Sequence, residues 1–374
     1  MPNKDISVLH VSGAKSWRGG EAQIELLMRE QDFHGYKISL FAPLQSPFRQ
    51  KQYEFPITFR FAKRRLGTDP VFALHLQRMI HKEQPDILHL HDPHAHTAAV
   101  LALTFISKKP KVILHRRVVF SPKKDRFTQW KYNHPAIQKV ICISEAVKKV
   151  MMDVVRDSNK LEVVYSAVDP SVTFGAANTS LRKRLSIPEE VAIIAHVAAL
   201  TKEKGHFRFL EIATQFIARH SECKVIFLVF GEGPLRSILE QMIKDRGLKE
   251  SVILMGFERD VRKYMKEFDL LVFPSQKEGL GTSVIEAQMA GIPAMVHDSG
   301  GLSEVIQDGY NGYLVKEDSV EPYIGLMAQI LSHSGLYHKL SQNAVKHMSN
   351  FEPSKMFERM DAIYQSLLYS SSSK

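Results

Sequence analysis

Two glutamates in the segment EGLGTSVIEAQMAGIPAM, Glu278 and Glu286, lie where a predicted strand is followed by a predicted helix. Gly279 and Gly281 have no side chain, so the backbone between the two elements can approach a ligand closely. The helix is predicted to begin near Thr282, and the positive end of its dipole favours phosphate oxygens. The candidate donors to phosphate are the N–H groups of Leu280, Gly281, Thr282 and Ser283. Phosphate repels a carboxylate, so Glu278 is better suited to accept hydrogen bonds from ligand hydroxyl groups.

Glu286 has two interpretations. Ser283 and Glu286 have the spacing of a capping box, in which the glutamate bonds back to the start of its own helix. The same carboxylate, one turn into the helix, could instead accept hydrogen bonds from the hydroxyl groups of a ribose. The spacing by itself is compatible with both.

A cluster of histidines raises the question of a metal site. The segment HLHDPHAH contains His89, His91, Asp92, His94 and His96. On a strand, His89 and His91 would face the same side and could share a metal ion, or they could be ordinary strand residues. A further histidine, His115, ends another predicted strand. There an imidazole can donate hydrogen bonds to hydroxyl groups or share charge that develops in a reaction.

The elements that position these residues follow a regular alternation. Short apolar runs alternate with segments of helical period along the chain, which predicts βα units around parallel sheets. The predicted strands of the first half are Ser7–Val11, Lys37–Phe41, Ile87–Leu90, Lys111–His115, Val140–Ile143 and Glu162–Tyr165. Those of the second half are Ala192–Val197, Lys224–Phe230, Val252–Met255, Leu270–Phe273, Ala294–His297 and Gly312–Val315. The predicted fold class is therefore α/β, with two Rossmann-like doubly wound domains facing a cleft.

The chain of 374 residues exceeds the length at which a single hydrophobic core stops growing, which predicts two domains. They are expected to cover residues 1–168 and 169–353, and a polar stretch near residues 167–188 is interpreted as the linker. A segment at about 354–370 has helical spacing of its apolar residues and is expected to pack back on the first domain.

The formal net charge of +10 is concentrated in one half of the chain. Residues 1–180 hold 27 Lys and Arg against 16 Asp and Glu, whereas residues 181–374 hold 23 against 24. This positive field favours an anionic membrane face or a phosphorylated partner, and the basic segments 63–65 and 123–126 are the candidate patches. Nucleic acid is not expected as a partner, because no zinc-finger spacing, RNP-like motif or helix-turn-helix pattern occurs.

The composition, with 44% hydrophobic and 24% charged residues, is that of a globular protein. No apolar run reaches the length needed to span a bilayer, and the first residues lead directly into a strand, so a cytoplasmic location is expected. The two cysteines, Cys142 and Cys223, lie in apolar strand-like runs. Neither a disulfide nor a cysteine metal site is therefore expected.

The segment 270–315 resembles the donor-site motif of retaining GT-B glycosyltransferases of the GT4 type, PSxxEGFGLxxxEAMAxGxPV followed by a GG loop and DGxxGxLV. The matching residues are Glu278, Gly279, Gly281, Glu286, Ala287, Ala290, Gly291, Pro293, Gly300, Gly301, Glu304, Asp308, Gly309, Gly312, Leu314 and Val315. The resemblance implies that Glu278 is a catalytic residue at the transferred sugar, without acting as a nucleophile, and that Glu286 binds ribose.

The resemblance extends over nearly the whole chain, though less strongly. Gly19 and Gly20 resemble the glycine-rich loop beside the donor diphosphate. His115 stands where the family often has a polar residue near the transferred sugar, which implies a second catalytic residue. Other matches or neighbours on the acceptor side are His91, Asp92, Arg116 and Arg117.

In the second half, Lys204 matches the lysine that binds the donor diphosphate. Gly231 and Gly233 match a GxGP loop bordering the nucleotide, and Phe257 matches a position whose backbone contacts the base. Ala199 departs from the family pattern, because it stands where an arginine is usual. One phosphate contact is therefore lost or is supplied by another cation, and the candidate substitutes are Lys202, Arg116 and Arg117.

The resemblance implies a transferase that retains the anomeric configuration and needs neither a metal nor a cofactor. The donor would be a nucleotide sugar, with a UDP-sugar expected, and the acceptor an anionic glycan or a lipid-linked glycan. Such an enzyme would serve bacterial cell-surface polysaccharide or lipopolysaccharide synthesis, with peripheral contact to an anionic membrane at its inner face. Two alternatives stay open: a non-catalytic sugar-nucleotide-binding protein, suggested by Ala199, and a sugar-nucleotide epimerase of the same fold. A dehydrogenase is disfavoured, because no GxGxxG follows the first strand.

Overall fold

A computed structural model of the chain describes residues 6–65, 68–104, 106, 109–123, 125–170 and 180–369. The chain divides into two compact units. The front unit consists of Met1–Ala167 and Pro353–Lys374, and the back unit of Val168–Glu352.

The front unit contains a parallel sheet of seven strands. The strands are β1 (Ser7–Val11), β2 (Lys37–Pro43), β3 (Thr58–Ala62), β4 (Ile87–Leu90), β5 (Lys111–Arg116), β6 (Ile137–Cys142) and β7 (Leu161–Val163). The helices between them are α1 (Gly19–Phe33), α2 (Pro70–Glu83), α3 (Pro93–Leu103), α4 (Arg126–Tyr132) and α5 (Glu145–Met152). The strand order is β3-β2-β1-β4-β5-β6-β7, so the winding reverses between β1 and β4.

The back unit repeats this winding with six parallel strands. The strands are β8 (Ala192–Val197), β9 (Val225–Phe230), β10 (Val252–Gly256), β11 (Leu270–Phe273), β12 (Ala294–His297) and β13 (Gly312–Val315). The helices are α6 (Leu181–Leu185), α7 (His206–Arg219), α8 (Arg236–Asp245), α9 (Thr282–Met289), α10 (Leu302–Val305), α11 (Glu321–Ser332) and α12 (Ser334–His347). The order β10-β9-β8-β11-β12-β13 reverses between β8 and β11. Both units are therefore Rossmann-like, as predicted.

The last helix, α13 (Pro353–Tyr369), belongs to the front unit although it follows the back unit in sequence. Its apolar residues Met356, Phe357 and Met360 are buried in the core that α1 and β1 also line. Tyr36, the residue before β2, donates a hydrogen bond to Asp361 of this helix. The helix thereby brings its own polar residues into the interior of the front unit.

The sequence prediction missed β3 and misjudged part of the linker. Strand β3 lies at the edge of its sheet, and its short alternating pattern of exposed and half-buried residues gives no apolar run to detect. Within the predicted linker, residues 171–179 lie outside the described residues. Beyond them, Leu181–Leu185 forms α6, where the carboxylate of Glu267 accepts hydrogen bonds from the N–H groups of Leu181 and Arg182.

Candidate functional site

The back unit brings two predicted site residues into direct contact at the point where its winding reverses. Lys204 follows β8 and Glu278 follows β11, and these strands are neighbours in the sheet. Parallel strands end at the same edge, so the loops after them meet there. The Nζ atom of Lys204 lies 2.6 Å from Oε2 of Glu278, and the two side chains are 22% and 13% exposed. A cation and a carboxylate therefore lie together at the edge of the sheet where a ligand is expected to bind.

The two loops are fastened to each other next to this ion pair. The carbonyl oxygen of Glu203 accepts hydrogen bonds from the Ser275 hydroxyl, 3.0 Å away, and from the N–H of Gln276, 2.8 Å away. Gly205 has a φ of +74°, and a Cβ atom there would overlap the carbonyl of Pro274. Only glycine lets the loop after β8 lie this close to the loop after β11.

The start of α9 presents unpaired backbone donors beside Glu278. Within the described chain, the N–H groups of Leu280, Gly281, Thr282 and Ser283 have no hydrogen-bond partner. Gly281 precedes the helix with a φ of +87°, and no side chain caps it. Four free N–H groups and the helix dipole form an arrangement that binds phosphate oxygens.

Glu286 does not cap its helix, which decides against the capping-box interpretation. The helix begins one residue after Gly281, so Glu286 lies beyond the positions from which a side chain can reach the free N–H groups. Its carboxylate makes no hydrogen bond or ion pair with any described residue. Burial raises the pKa of Glu286 to about 7, which the charge of Arg262 opposes and that of Asp260 reinforces. This half-buried carboxyl group is thus free to bind a ligand.

The glycines of the GxGP loop are required by close backbone packing. A Cβ atom at Gly231 would overlap the carbonyl of Ala198, and one at Gly233 would lie 2.6 Å from the carbonyl oxygen of Leu200. The loops after β8 and β9 are therefore in contact. Beyond β10, the ring of Phe257 is 71% exposed.

Ala199 is exposed, and its carbonyl oxygen lies 2.8 Å from Nε2 of His206. A hydrogen bond therefore holds the backbone of Ala199, the position at which the family usually has an arginine. Among the residues proposed as substitutes, Lys202 is exposed in the same loop.

The front unit has a different polar centre, made of four buried histidines. His10 and His115 are the last residues but one of β1 and β5. His89 lies in β4, and His91 directly follows that strand. As predicted, His89 and His91 face the same side, with their ring centroids 4.2 Å apart. Burial is the main cause that lowers the pKa of all four, to about 4 for His10, so these rings are neutral near pH 7.

Ring nitrogens of His10, His89 and His91 lie within 4.8 Å of one another, close enough to hold a metal ion. Each of these rings, however, already uses both nitrogens in hydrogen bonds. His10 contacts His91 at 2.8 Å and Gln31 at 2.7 Å. His89 contacts the Tyr364 hydroxyl at 2.8 Å and His115 at 3.2 Å, and His91 also contacts Arg117. A metal would have to break several of these bonds beside a guanidinium cation.

The structure separates the two adjacent arginines. Arg117 lies beside His91 and Gly20, and its Nε and Nη1 atoms are buried without a hydrogen-bond partner among the described residues. Arg116 points to the opposite face of β5 and donates to the carbonyl oxygen of Phe120, so it fastens the loop after β5.

Asp92 likewise has structural partners. Its carboxylate caps α3 by accepting from the N–H groups of His94 and Ala95, and it also accepts from the N–H of Gly13. By contrast, a Cβ atom at Gly19 would meet nothing within 4 Å. Nothing in the described packing requires that glycine, which leaves room for a ligand at the start of α1.

Sequence reasoning missed three members of the front centre: His10, Gln31 and Tyr364. His10 could have been found, since it lies near the end of the predicted strand Ser7–Val11, which precedes the predicted glycine loop. Gln31 and Tyr364 lie within helices, and only tertiary packing brings them to the histidines.

The surface of the front unit carries an exposed aromatic group around α4. Phe120, Phe127 and Trp130 are 46%, 46% and 44% exposed, with the basic residues Lys123 and Arg126 exposed beside them. Lys124 of the predicted basic patch lies outside the described residues. In the other predicted patch Arg64 is buried. Among the described residues, no helix is both long and apolar enough to cross a membrane.

Comparison with known proteins identifies the family that the chain resembles. The family model described as Glycosyltransferase Family 4 matches residues 17–172, and that described as Glycosyl transferases group 1 matches residues 177–347. The chain is 25% identical to the N-acetyl-alpha-D-glucosaminyl L-malate synthase of Bacillus anthracis over 80% of both chains. It is 22% identical to the UDP-Gal:alpha-D-GlcNAc-diphosphoundecaprenol alpha-1,3-galactosyltransferase of Escherichia coli over 77% of both chains.

A solved structure has the same fold. The Anabaena protein HepE, crystallised with UDP and glucose, superposes with a TM-score of 0.80 at 17% identity, over 96% of this chain and 100% of its own. Two family models that match consecutive stretches of the chain, together with two Rossmann-like units, lead to one conclusion. The chain belongs to the glycosyltransferases of the GT4 type, which have the GT-B fold.

Proposed function

We propose that this protein is a retaining glycosyltransferase that moves a sugar from a UDP-sugar to a glycan or lipid-linked acceptor of the bacterial cell surface. The observation that carries the proposal is the Lys204–Glu278 ion pair beside four unpaired N–H groups at the start of α9. A diphosphate requires the cation and the N–H groups, and sugar hydroxyls require the carboxylate. The diphosphate and the sugar of a nucleotide sugar would thus each have a suitable binding group.

The nucleoside would lie along the loops after β9 and β10. The free carboxyl group of Glu286 is suited to the ribose hydroxyls. The base is expected to contact the backbone at Phe257, whose ring is exposed, and Gly231 and Gly233 add no side chains to the loop beside it. UDP is the expected nucleotide, supported by the UDP-bound HepE structure of the same fold.

In the reaction, the bond between the anomeric carbon and the diphosphate oxygen breaks while the acceptor oxygen bonds to the same carbon. The acceptor proton passes to the departing phosphate oxygen, so the leaving group can serve as the base on the face it leaves. The enzyme's contribution is positioning and stabilisation of the diphosphate charge, which Lys204 and the α9 N–H groups supply without a metal. Glu278 binds the sugar and is not a nucleophile.

The acceptor is expected to be anionic or lipid-linked. The excess of basic residues in the first 180 positions favours an anionic partner, and the Escherichia coli relative is named for a diphosphoundecaprenol acceptor. The exposed ring of Trp130, with Arg126 beside it, has the amphipathic character of a membrane-interface group. We therefore place the enzyme at the inner face of the membrane.

The donor can be identified by thermal unfolding in the presence of UDP-, GDP- and ADP-glucose, UDP-galactose and UDP-N-acetylglucosamine. A ligand present at 100 times its dissociation constant stabilises the native state by about 2.7 kcal/mol. A UDP-sugar is expected to stabilise the chain most, and failure of every nucleotide sugar would disprove the donor site.

Turnover is then tested by measuring how fast the protein hydrolyses the selected nucleotide sugar when no acceptor is present. Glu278→Gln is expected to abolish it, and Glu190→Gln is the matched control. Glu190 pairs with Lys224 at 3.1 Å, but both are well exposed on the same unit. Strong donor binding without hydrolysis or transfer by the unmodified chain would favour the non-catalytic alternative that Ala199 suggests. Interconversion of the bound sugar would favour an epimerase.

Membrane contact is a separate test. Sedimentation with phosphatidylglycerol vesicles, but not with phosphatidylcholine vesicles, is expected. Trp130→Ser should reduce the bound fraction several-fold, whereas equal binding to both vesicles would contradict electrostatic attachment.

A further inference from the structure

Seven side chains inside the front unit form one continuous series of hydrogen bonds, here called the histidine series. In order of contact its members are Arg117, His91, His10, Gln31, Tyr364, His89 and His115. The series ends at Nε2 of His115, which is buried and has no hydrogen-bond partner among the described residues. Most buried polar atoms in native proteins have a hydrogen-bond partner, so this nitrogen is a candidate to bind a substrate atom.

The cation at the other end gives the series its direction. A guanidinium group only donates hydrogen bonds, and Nη2 of Arg117 lies 3.4 Å from Nδ1 of His91. That nitrogen must accept, so a neutral His91 carries its proton on Nε2. The Nε2–H group then donates to Nδ1 of His10, 2.8 Å away. His10 in turn donates from Nε2 to the amide oxygen of Gln31 at 2.7 Å.

The direction continues through the last helix. The amide nitrogen of Gln31 donates to the Tyr364 hydroxyl at 3.1 Å, and the hydroxyl donates to Nδ1 of His89 at 2.8 Å. His89 therefore carries its proton on Nε2 and donates it to Nδ1 of His115 at 3.2 Å. A neutral His115 can then hold its proton only on Nε2. The opposite direction would place a proton on Nδ1 of His91 against the donor of Arg117.

The charge states agree with this assignment. Burial lowers the pKa of each histidine in the series below its usual range, so all four rings are neutral near pH 7. Burial lowers the pKa of Arg117 only to about 10, so the guanidinium keeps its charge and its donor character. An additional proton on any ring would set two donors against each other.

We propose that the histidine series holds His115 as the neutral Nε2–H tautomer, so that it offers the substrate one fixed hydrogen-bond donor and cannot act as a base there. Tyr364 is then a positioning residue, because it transmits the direction set by Arg117 to His89 and His115. The partner of the free N–H is an oxygen atom of the sugar or of a phosphate. The inference rests on the proposed function only for that partner, since the tautomer is a property of the ligand-free chain.

The tautomers can be read from side-chain ¹⁵N spectra of the full chain, in which protonated and unprotonated ring nitrogens are well separated. All four histidines of the series are expected to carry the proton on Nε2 near pH 7.5. In Tyr364→Phe the connection is cut in the middle. His10 and His91 should keep the Nε2–H form, whereas His89 and His115 should become mixtures.

Tyr36→Phe is the matched control, since the Tyr36 hydroxyl donates to Asp361 on the same helix but lies outside the series. It should leave all four tautomers unchanged. As a second variant, Arg117→Gln removes the donor-only group and should mix the tautomers of all four histidines, and Arg117→Lys should restore them.

With the nucleotide sugar that thermal unfolding identifies as the substrate, Tyr364→Phe should lower kcat about fivefold, with a smaller change in KM. A fivefold effect corresponds to the loss of about one hydrogen bond. The proposal is overturned if His115 carries its proton on Nδ1 in the unmodified chain, or if Tyr364→Phe leaves His115 unchanged. It is also overturned if Zn²⁺ alone shifts the nitrogens of His10, His89 and His91, because these would then be metal ligands. Failure of donor binding would leave the spectra unaffected, so the two hypotheses fail separately.

Discussion

The front and back units have the same winding, and both place polar residues where the order of strands reverses, yet the chemistry at that point differs. The back unit has a partly exposed ion pair, Lys204 and Glu278, beside free N–H groups. The front unit has neutral, buried imidazoles in a hydrogen-bonded series that ends at one cation, Arg117. The topology thus supplies a position at the carboxyl ends of the strands, and the residues there decide what it binds.

The two centres should respond to acid differently, and this is the largest effect we expect. The pKa of His10 is about 4 in the folded chain and near 6.5 in the unfolded chain. The unfolded state therefore binds more protons below pH 6.5, and stability falls as the pH drops from 6.5 towards 4. His10 alone accounts for about 3 kcal/mol of this loss, and His89, His91 and His115 act in the same direction.

Urea unfolding at pH 7.5 and pH 5 checks this prediction. Both tryptophans of the chain, Trp17 and Trp130, lie in the front unit, so their fluorescence reports that unit. Hydrogen exchange of strands β8–β13 reports the back unit, which has two buried histidines of lowered pKa, His196 and His206. Equal losses of stability in the two units between pH 7.5 and pH 5 would contradict the predicted difference between them.

The ion pair of the back unit should carry the larger share of catalysis. Lys204→Met removes the cation that faces the diphosphate, and the rate of donor hydrolysis or transfer should fall about 10²- to 10³-fold. Lys224→Met, in the exposed pair with Glu190, should leave the rate within about twofold. Initial rates at saturating donor measure both, and similar rates for the two variants would exclude Lys204 from the reaction.

Glycine substitutions distinguish structural glycines from those that leave space for a ligand. Gly300 has a φ of +58°, and a Cβ atom there would overlap the carbonyl of Glu278. Gly300→Ala should therefore cost roughly 2–3 kcal/mol of stability and also disturb donor binding. Gly19→Ala meets no neighbour, so its stability should change by less than about 0.5 kcal/mol while activity falls. Full activity of Gly19→Ala would separate this loop from the reaction.

The smallest expected effect concerns Glu286, whose pKa of about 7 lies close to neutrality. The ionised carboxylate accepts hydrogen bonds from both ribose hydroxyls, so affinity for the UDP-sugar should rise about threefold to tenfold between pH 6 and pH 8. Glu286→Gln cannot ionise, and its affinity should be nearly independent of pH in this range. Titration calorimetry compares the two, and parallel pH profiles would place Glu286 away from the ribose.

Local patterns were sufficient to predict much of the architecture. Short apolar runs predicted twelve of the thirteen strands among the described residues. Parallel strands that are buried on both faces are continuously apolar, so they stand out in the sequence. The donor segment around Glu278 was found because its glycines and its strand-to-helix transition are close together in sequence. The resemblance assigned Lys204 and Glu278 to one donor site, whereas their direct contact is seen only in the structure, where β8 and β11 are neighbours.

Other features depend on contacts between distant parts of the chain. The edge strand β3 lacks an apolar run, and the spacing of Ser283 and Glu286 resembled a cap although the helix begins at Thr282. The bond between His89 and Tyr364 joins residues 275 positions apart.

The sequence by itself therefore determined the α/β class, the two Rossmann-like units and the candidate donor loop, because periodicity and turn residues are local properties. Only the tertiary structure decided that four histidines, a glutamine and a tyrosine of the last helix form one directed series. The protonation of a buried ring depends on its burial and on the partners of both nitrogens, and these are fixed only when distant elements pack together.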